Sequence, residues 1–137
     1  YYKQLAVKMD LVDQVYFLGK LTQEELPKVT AAAYVGTALI ENLSLSYYYA
    51  LPNKLFEYIM AEVPVFVNDL PQMKEIVEKY EVGFVVNPDN ADEIVSTLKN
   101  LSTNSDLYNK LKQNCTKASE ELNWEKEVVT LLNTIKT

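Results

Sequence analysis

The stretch Leu51-Pro52-Asn53-Lys54-Leu55-Phe56-Glu57-Tyr58-Ile59-Met60-Ala61-Glu62-Val63-Pro64-Val65 decides the fold of this chain. It reads as a loop that enters a helix at a proline and leaves it into a buried strand. Pro52 is expected at the first helical position, where its fixed φ suits the helix and its missing N–H costs no bond. Leu55, Phe56, Ile59 and Met60 then make a buried stripe. Asn53 and Glu57, four apart, share another face, and Lys54 lies beside Glu57 at a spacing of three. The run Val63-Pro64-Val65-Phe66-Val67 is apolar throughout, with its proline near the start where a lost N–H is tolerable.

Outward from this stretch, short apolar runs alternate with helical patterns. Val15-Tyr16-Phe17-Leu18-Gly19 is expected as a first strand, Ala33 to Ile40 as a second, Val63–Val67 as a third and Gly83-Phe84-Val85-Val86 as a fourth. Between them, Thr22 and Glu25 form a capping box for one helix, and Leu70-Pro71-Gln72 opens another through Met73, Ile76 and Val77. Before the first strand, Leu5, Val7, Met9 and Leu11 mix with Lys3, Gln4 and Lys8 as the last turns of a helix. Strands without polar alternation, separated by helices, imply a parallel sheet covered on both faces. From Ala91 onward the pattern is all-helical, with starts at Ser105-Asp106 and Asn123-Trp124-Glu125. The predicted fold class is therefore α/β, Rossmann-like, with a helical C-terminal tail.

Composition narrows the function. The chain has 137 residues, 48% hydrophobic and 23% charged, which is ordinary for one globular domain. Its net charge of −6 disfavours nucleic acid as a partner. No apolar run approaches the roughly 18 residues a membrane-spanning helix needs. With no histidine, a Ser-His-Asp or Cys-His nucleophile system and a histidine-ligated zinc are excluded within this chain. No metal or cofactor is expected. The single cysteine, Cys115, has no partner for an internal disulfide and reads as a reduced thiol of a cytoplasmic protein.

Ligands of parallel α/β sheets bind at the carboxyl ends of the strands, where helix N-termini point. Free N–H groups at the start of the Pro52 helix, with Asn53 and Lys54, suit a phosphate. Glu57, one turn on, can accept hydrogen bonds from two vicinal hydroxyls. A ligand carrying both, such as a nucleotide-sugar, fits this set. The same residues also fit a plain amphipathic helix whose Lys54–Glu57 pair is a surface ion pair. Pattern alone leaves both readings open.

The residues carry a resemblance that bears on the choice. Tyr49 to Val65, reading YALPNKLFEYIMAEVPV, resembles the signature segment of the C-terminal, nucleotide-sugar-binding domain of retaining GT-B glycosyltransferases of family 4. Val15–Gly19 is similar to that family's strand ending in Phe-Leu-Gly. Asn68-Asp69-Leu70-Pro71-Gln72-Met73 and Glu81 to Val86 are similar to the segments that follow, and Asn123-Trp124-Glu125 to the start of its closing helix. The resemblance covers essentially the whole chain.

It implies a donor site. Glu57 matches the second glutamate of the family's Glu-seven residues-Glu motif, which holds the nucleotide ribose. The first glutamate falls at Tyr49, which can exchange one hydrogen bond but carries no charge at neutral pH. Pro52, Asn53, Lys54 and Leu55 would lie along the pyrophosphate and sugar, and the loop after Gly19 near the base. No catalytic residue is assigned with certainty. The implied activity is hexosyl transfer from a UDP- or GDP-sugar to a polysaccharide or glycolipid, as in bacterial surface-polymer synthesis.

The resemblance also implies that residues 1–137 form a single, N-terminally incomplete domain, the partial C-terminal half of a GT-B fold. In the strand order 3-2-1-4-5-6, two absent strands would separate Val15–Leu18 from the second run. The implied partners are an N-terminal acceptor domain, a membrane surface touched peripherally by the full enzyme, and further copies of the chain joined through an exposed sheet edge. The isolated chain is then expected to be inactive. A non-catalytic Rossmann-like remnant or interaction module is the alternative, and a nucleotide-sugar epimerase of related fold is the second choice among enzymes.

Overall fold

A computed structural model describes residues 1–135. Eight helices and three strands occur among them: α1 (Tyr2–Lys8), α2 (Glu25–Ala31), β1 (Gly36–Ala38), α3 (Leu45–Tyr48), α4 (Asn53–Met60), β2 (Val65–Val67), α5 (Pro71–Tyr80), β3 (Gly83–Val85), α6 (Ala91–Thr103), α7 (Ser105–Glu121) and α8 (Trp124–Ile135). The strands pair in parallel in the order β1-β2-β3, with Gly36 opposite Val65 and Val65 opposite Gly83. The α/β, Rossmann-like class read from the sequence is the observed one, and the all-helical tail follows it.

Strand β2 is buried at all three positions because both of its faces are covered. On one face Ala38, Val65 and Val67 pack against Leu55 and Ile59 of α4, Met73 and Val77 of α5, and Cys115 and Ala118 of α7. On the other, Phe66 meets Val86, Leu101 of α6 and Leu111 of α7, with Phe84 edge-on to it at 5.6 Å between ring centroids. Two close approaches need glycine. A Cβ at Gly36 would collide with the Tyr58 ring of α4, and one at Gly83 with the backbone of Val65.

Helix starts follow the expected chemistry. The Glu25 carboxylate accepts from the Thr22 N–H at 2.9 Å while the Thr22 hydroxyl accepts from the Glu25 N–H at 3.2 Å, so the capping box forms. These bonds, the backbone one foremost, hold the Glu25 carboxyl below its ordinary value. Pro71 opens α5 in its first turn, and Asn90 and Asn104 cap α6 and α7 by accepting from Glu93 and Leu107 N–H groups. Cys115 hydrogen-bonds weakly to the carbonyls of Val63 and Val82, just ahead of β2 and β3, which pins α7 across the amino ends of those strands.

Three expectations are corrected. Val15–Leu18 is not a strand: the segment makes no ladder, and Tyr16 and Leu18 are largely exposed. A strand needs a neighbour's N–H and C=O groups, and no described strand lies beside this one. Pro52 sits one position earlier than expected, as the N-cap with extended φ −74° and ψ 141°, and Asn53 takes the first helical place. The stripe of α4 is narrower than expected: Leu55 and Ile59 are fully buried, whereas Phe56 is half-buried and Met60 exposed. Residues 55 and 59 lie one turn apart over the sheet, and the next residue on each turns about 100° away from it.

Candidate functional site

The site is built where β1 runs out into the loop that ends in α4. Ser44 caps α3 by accepting from the Tyr47 N–H, and Tyr49 closes that short helix with its side chain mostly exposed and edge-on to Tyr48. Three residues later Pro52 is the N-cap of α4. A proline N-cap has no side-chain acceptor, and no side chain caps this helix. Pro52 has no N–H to offer, and the Leu55 N–H bends back to the Pro52 carbonyl at 3.1 Å. The amides of Asn53 and Lys54 are thus left to face solvent at the positive end of the helix dipole, with both side chains exposed around them.

Leu55 is fully buried and joins α4 to the core beneath the site. Glu57 is exposed one turn on, and no ion pair within 4 Å joins it to Lys54; the ion pairs among the described residues are Lys74–Asp69 at 3.0 Å and Lys110–Glu81 at 3.1 Å. The Lys54–Glu57 ion pair that a plain amphipathic helix would use is therefore not formed. Glu57 instead faces a groove of about 510 Å³ between α4 and α2, lined also by Gln23, Leu26, Pro27, Thr30 and Met60. Gln23 lies on the loop after Gly19, which turns at φ +72° in open space. The groove thus brings Glu57 together with the end of that loop, although Gly19 itself does not line it.

A larger cleft of about 940 Å³ lies at the carboxyl ends of the strands, and none of the seven residues singled out from sequence lines it. Its walls are the segments 39–43, 68–70 and 85–89, with Glu93 of α6. Asn68, only 6% exposed, holds this edge. Its Oδ1 accepts from the Ile40 N–H at 3.0 Å and its Nδ2 donates to the Ile40 carbonyl at 2.8 Å. The amide stands in for one more ladder pair beyond Ala38 and Val67, and so fixes where the β1 loop departs. Sequence reading missed this role. The available signal was a lone amide ending an otherwise apolar strand. Glu41, Asp69, Asp89 and Glu93 make the cleft acidic, so it is the Lys54 end of α4, not this cleft, that suits an anion.

No group of three or more metal-ligating side chains occurs among the described residues. Cys115 is remote from both openings, and burial, with a smaller contribution from Glu62, pushes its thiol up to about 12. No described helix is long and apolar enough to cross a membrane.

A family model described as glycosyl transferases group 1 matches residues 1–118. No curated protein matches the chain. Among solved structures, the sucrose-phosphate synthase from Thermosynechococcus elongatus superposes with a TM-score of 0.82 at 20% identity, over 98% of this chain and 33% of that one. At such an identity the likeness is one of fold, and the chain spans about a third of that protein's length.

Proposed function

The chain belongs to the glycosyl transferases group 1 family, and from that premise we propose that it is the donor-binding part of a retaining hexosyltransferase. The donor is a UDP- or GDP-linked sugar and the acceptor a polysaccharide or glycolipid. The observation that carries this reading is the uncapped start of α4, where no side chain bonds the first-turn amides and Asn53 and Lys54 are both exposed. A leaving nucleoside diphosphate gains negative charge as the glycosidic bond breaks, and fixed N–H dipoles with a cation stabilise that charge.

Glu57 supports the reading from the other side. Its carboxylate opens on a groove whose remaining walls are mostly apolar, which suits a ribose presenting two hydroxyls beside a flat base. Gln23, after Gly19, supplies a polar group for the base edge. Tyr49, in place of a carboxylate, offers the sugar one phenolic hydrogen bond. Hydroxyls and phosphate are then read by one helix, α4, from its first turn and its second.

An N-terminal acceptor domain, peripheral membrane contact and a cytoplasmic site of action belong to the same proposal, as does the single, N-terminally incomplete domain. The acceptor face lies outside this half of the cleft, so residues 1–137 alone are expected to bind donor without transferring it, since positioning can supply roughly 7–11 kcal/mol of a barrier. Titration of UDP, GDP and the matching nucleosides into wild type and Lys54→Ala tests the reading. Lys54→Ala should weaken the diphosphates more than the nucleosides, and more so at low salt. Equal loss for both ligand sets would remove Lys54 from the phosphate site, and absence of any nucleotide binding would favour the non-catalytic module.

A further inference from the structure

Strand β3 is the outer strand on one side of the described sheet. In the strand order 3-2-1-4-5-6 it takes the last place, and further strands of such a sheet join beyond β1, on the far side. Val65 donates to the Val82 carbonyl and Val86 to the Val67 carbonyl, so alternate residues of this strand face β2. Gly83 and Val85 lie between them in register and turn their N–H and C=O groups away from the sheet.

Those groups open into a groove of about 480 Å³. Val77 and Glu78 of α5 form one wall, on the face of the sheet that holds the first core cluster. Leu107, Lys110 and Leu111 of α7 form the other, on the face that holds Phe66 and Phe84. Gly83, Phe84 and Val85 are each only partly exposed, so the edge is recessed between two helices. An equally recessed edge of a second copy could not reach into it, whereas a single extended segment without flanking helices can.

Charge defines the chemistry of that segment. Lys110 is held by Glu81 at 3.1 Å, and Lys74, the lysine one turn before Glu78, by Asp69 at 3.0 Å. Glu78 makes no ion pair within 4 Å among the described residues. The α5 wall thus carries a carboxylate open to a cation, while Leu107 and Leu111 make the α7 wall apolar. The net charge of −6 attracts a cation to the same surface. Side chains of an added strand alternate between the two faces of the sheet, so basic ones would meet α5 and apolar ones α7.

We propose that the β3 groove binds an extended peptide segment alternating basic and apolar residues, which joins the sheet as one more strand on Gly83 and Val85. This surface is independent of the donor reading, since it uses neither Lys54 nor Glu57. Main-chain bonds to the strand supply the affinity, and Glu78 with the two leucines selects the pattern.

An acetylated, amidated heptapeptide alternating lysine and valine is the probe. Its binding to wild type and to Glu78→Lys is followed by fluorescence anisotropy, with amide exchange at Gly83 and Val85 read in parallel. Glu78 is exposed, so the reversal should leave the melting temperature unchanged. Wild type should bind the peptide and protect both amides. Glu78→Lys, or a peptide alternating glutamate and valine, should lower the affinity at least about tenfold. No binding, or affinity that neither change lowers, would overturn the proposal. Binding that left the Gly83 and Val85 amides unprotected would show attraction to an acidic surface alone and overturn it equally. Self-association that protected the same amides without peptide would assign the groove to a second copy instead.

Discussion

Replacing Asn68 with aspartate tests how the functional edge of the sheet is held. The side chain is 6% exposed and makes two bonds to one residue, accepting from the Ile40 N–H and donating to the Ile40 carbonyl. Asn68→Asp keeps size and acceptor but replaces the donor by an anionic oxygen facing that carbonyl. The lost bond costs about 0.5–1.5 kcal/mol, and the buried carbonyl left opposite a charge about 1–3 more, so roughly 2–4 kcal/mol is expected at neutral pH. Protonation restores the donor. The introduced carboxyl therefore has a folded pKa above its unfolded value of about 3.9, by roughly 1.5–3 units. The sign follows: the deficit is absent below pH about 3.9 and enters as pH rises through the folded pKa, about 5.5–7. Urea denaturation of wild type, Asn68→Asp and Asn68→Leu at pH 4 and pH 8 measures this. Asn68→Asp should approach wild type at pH 4 and fall well below it at pH 8, whereas Asn68→Leu should lose similar stability at both. A deficit for Asn68→Asp that does not change with pH would refute the two-pronged clamp.

Glu57→Gln should weaken nucleotide-sugar binding while leaving the melting temperature nearly unchanged, because an exposed isostere creates no cavity; unchanged affinity by calorimetric titration would take Glu57 out of the site. Leu55→Ala, at a fully buried position, should cost about 2–5 kcal/mol, and Phe56→Ala, half-buried, clearly less than a core aromatic's roughly 3–5 kcal/mol. Chemical denaturation in which Phe56→Ala proved the worse of the two would show that the faces of α4 are misassigned. Burial raises the Cys115 thiol from 9.0 to about 12, so its contribution is fully present below pH 9 and is lost as pH rises toward 12. Relative to Cys115→Ala, wild type should lose up to about 1.4 kcal/mol per pH unit across that window in denaturant titrations; parallel pH profiles for the two proteins would contradict a buried neutral thiol.

What sequence could show here was set by how local the governing interaction is. The Thr22–Glu25 capping box and the Pro71 start are settled within four residues, and both form as written. The apolar run at β2 declares a strand because both of its faces are covered. Val15–Leu18 has the same composition, but a strand is defined by its neighbour, and composition carries no information about a neighbour. The Asn68 bonds join residues 28 apart, a pairing no local pattern reveals.

The two halves of the donor reading differ in the same way. The helix start at α4 was legible, because proline, amide and cation are adjacent in the chain, although Pro52 lies one place earlier than its composition suggests. That shift leaves the chemistry unchanged: a proline at either place removes one of the four orphan donors, and the Asn53 and Lys54 amides remain unpaired within the helix in both. The groove facing Glu57 depends on α2, some thirty residues upstream, and needed the fold to appear. The side chain of Met60, expected in the core, lines that groove instead and is 53% exposed. On the proposed donor reading, the apolar walls of that groove would take the face of a base and the Glu57 carboxylate the ribose hydroxyls.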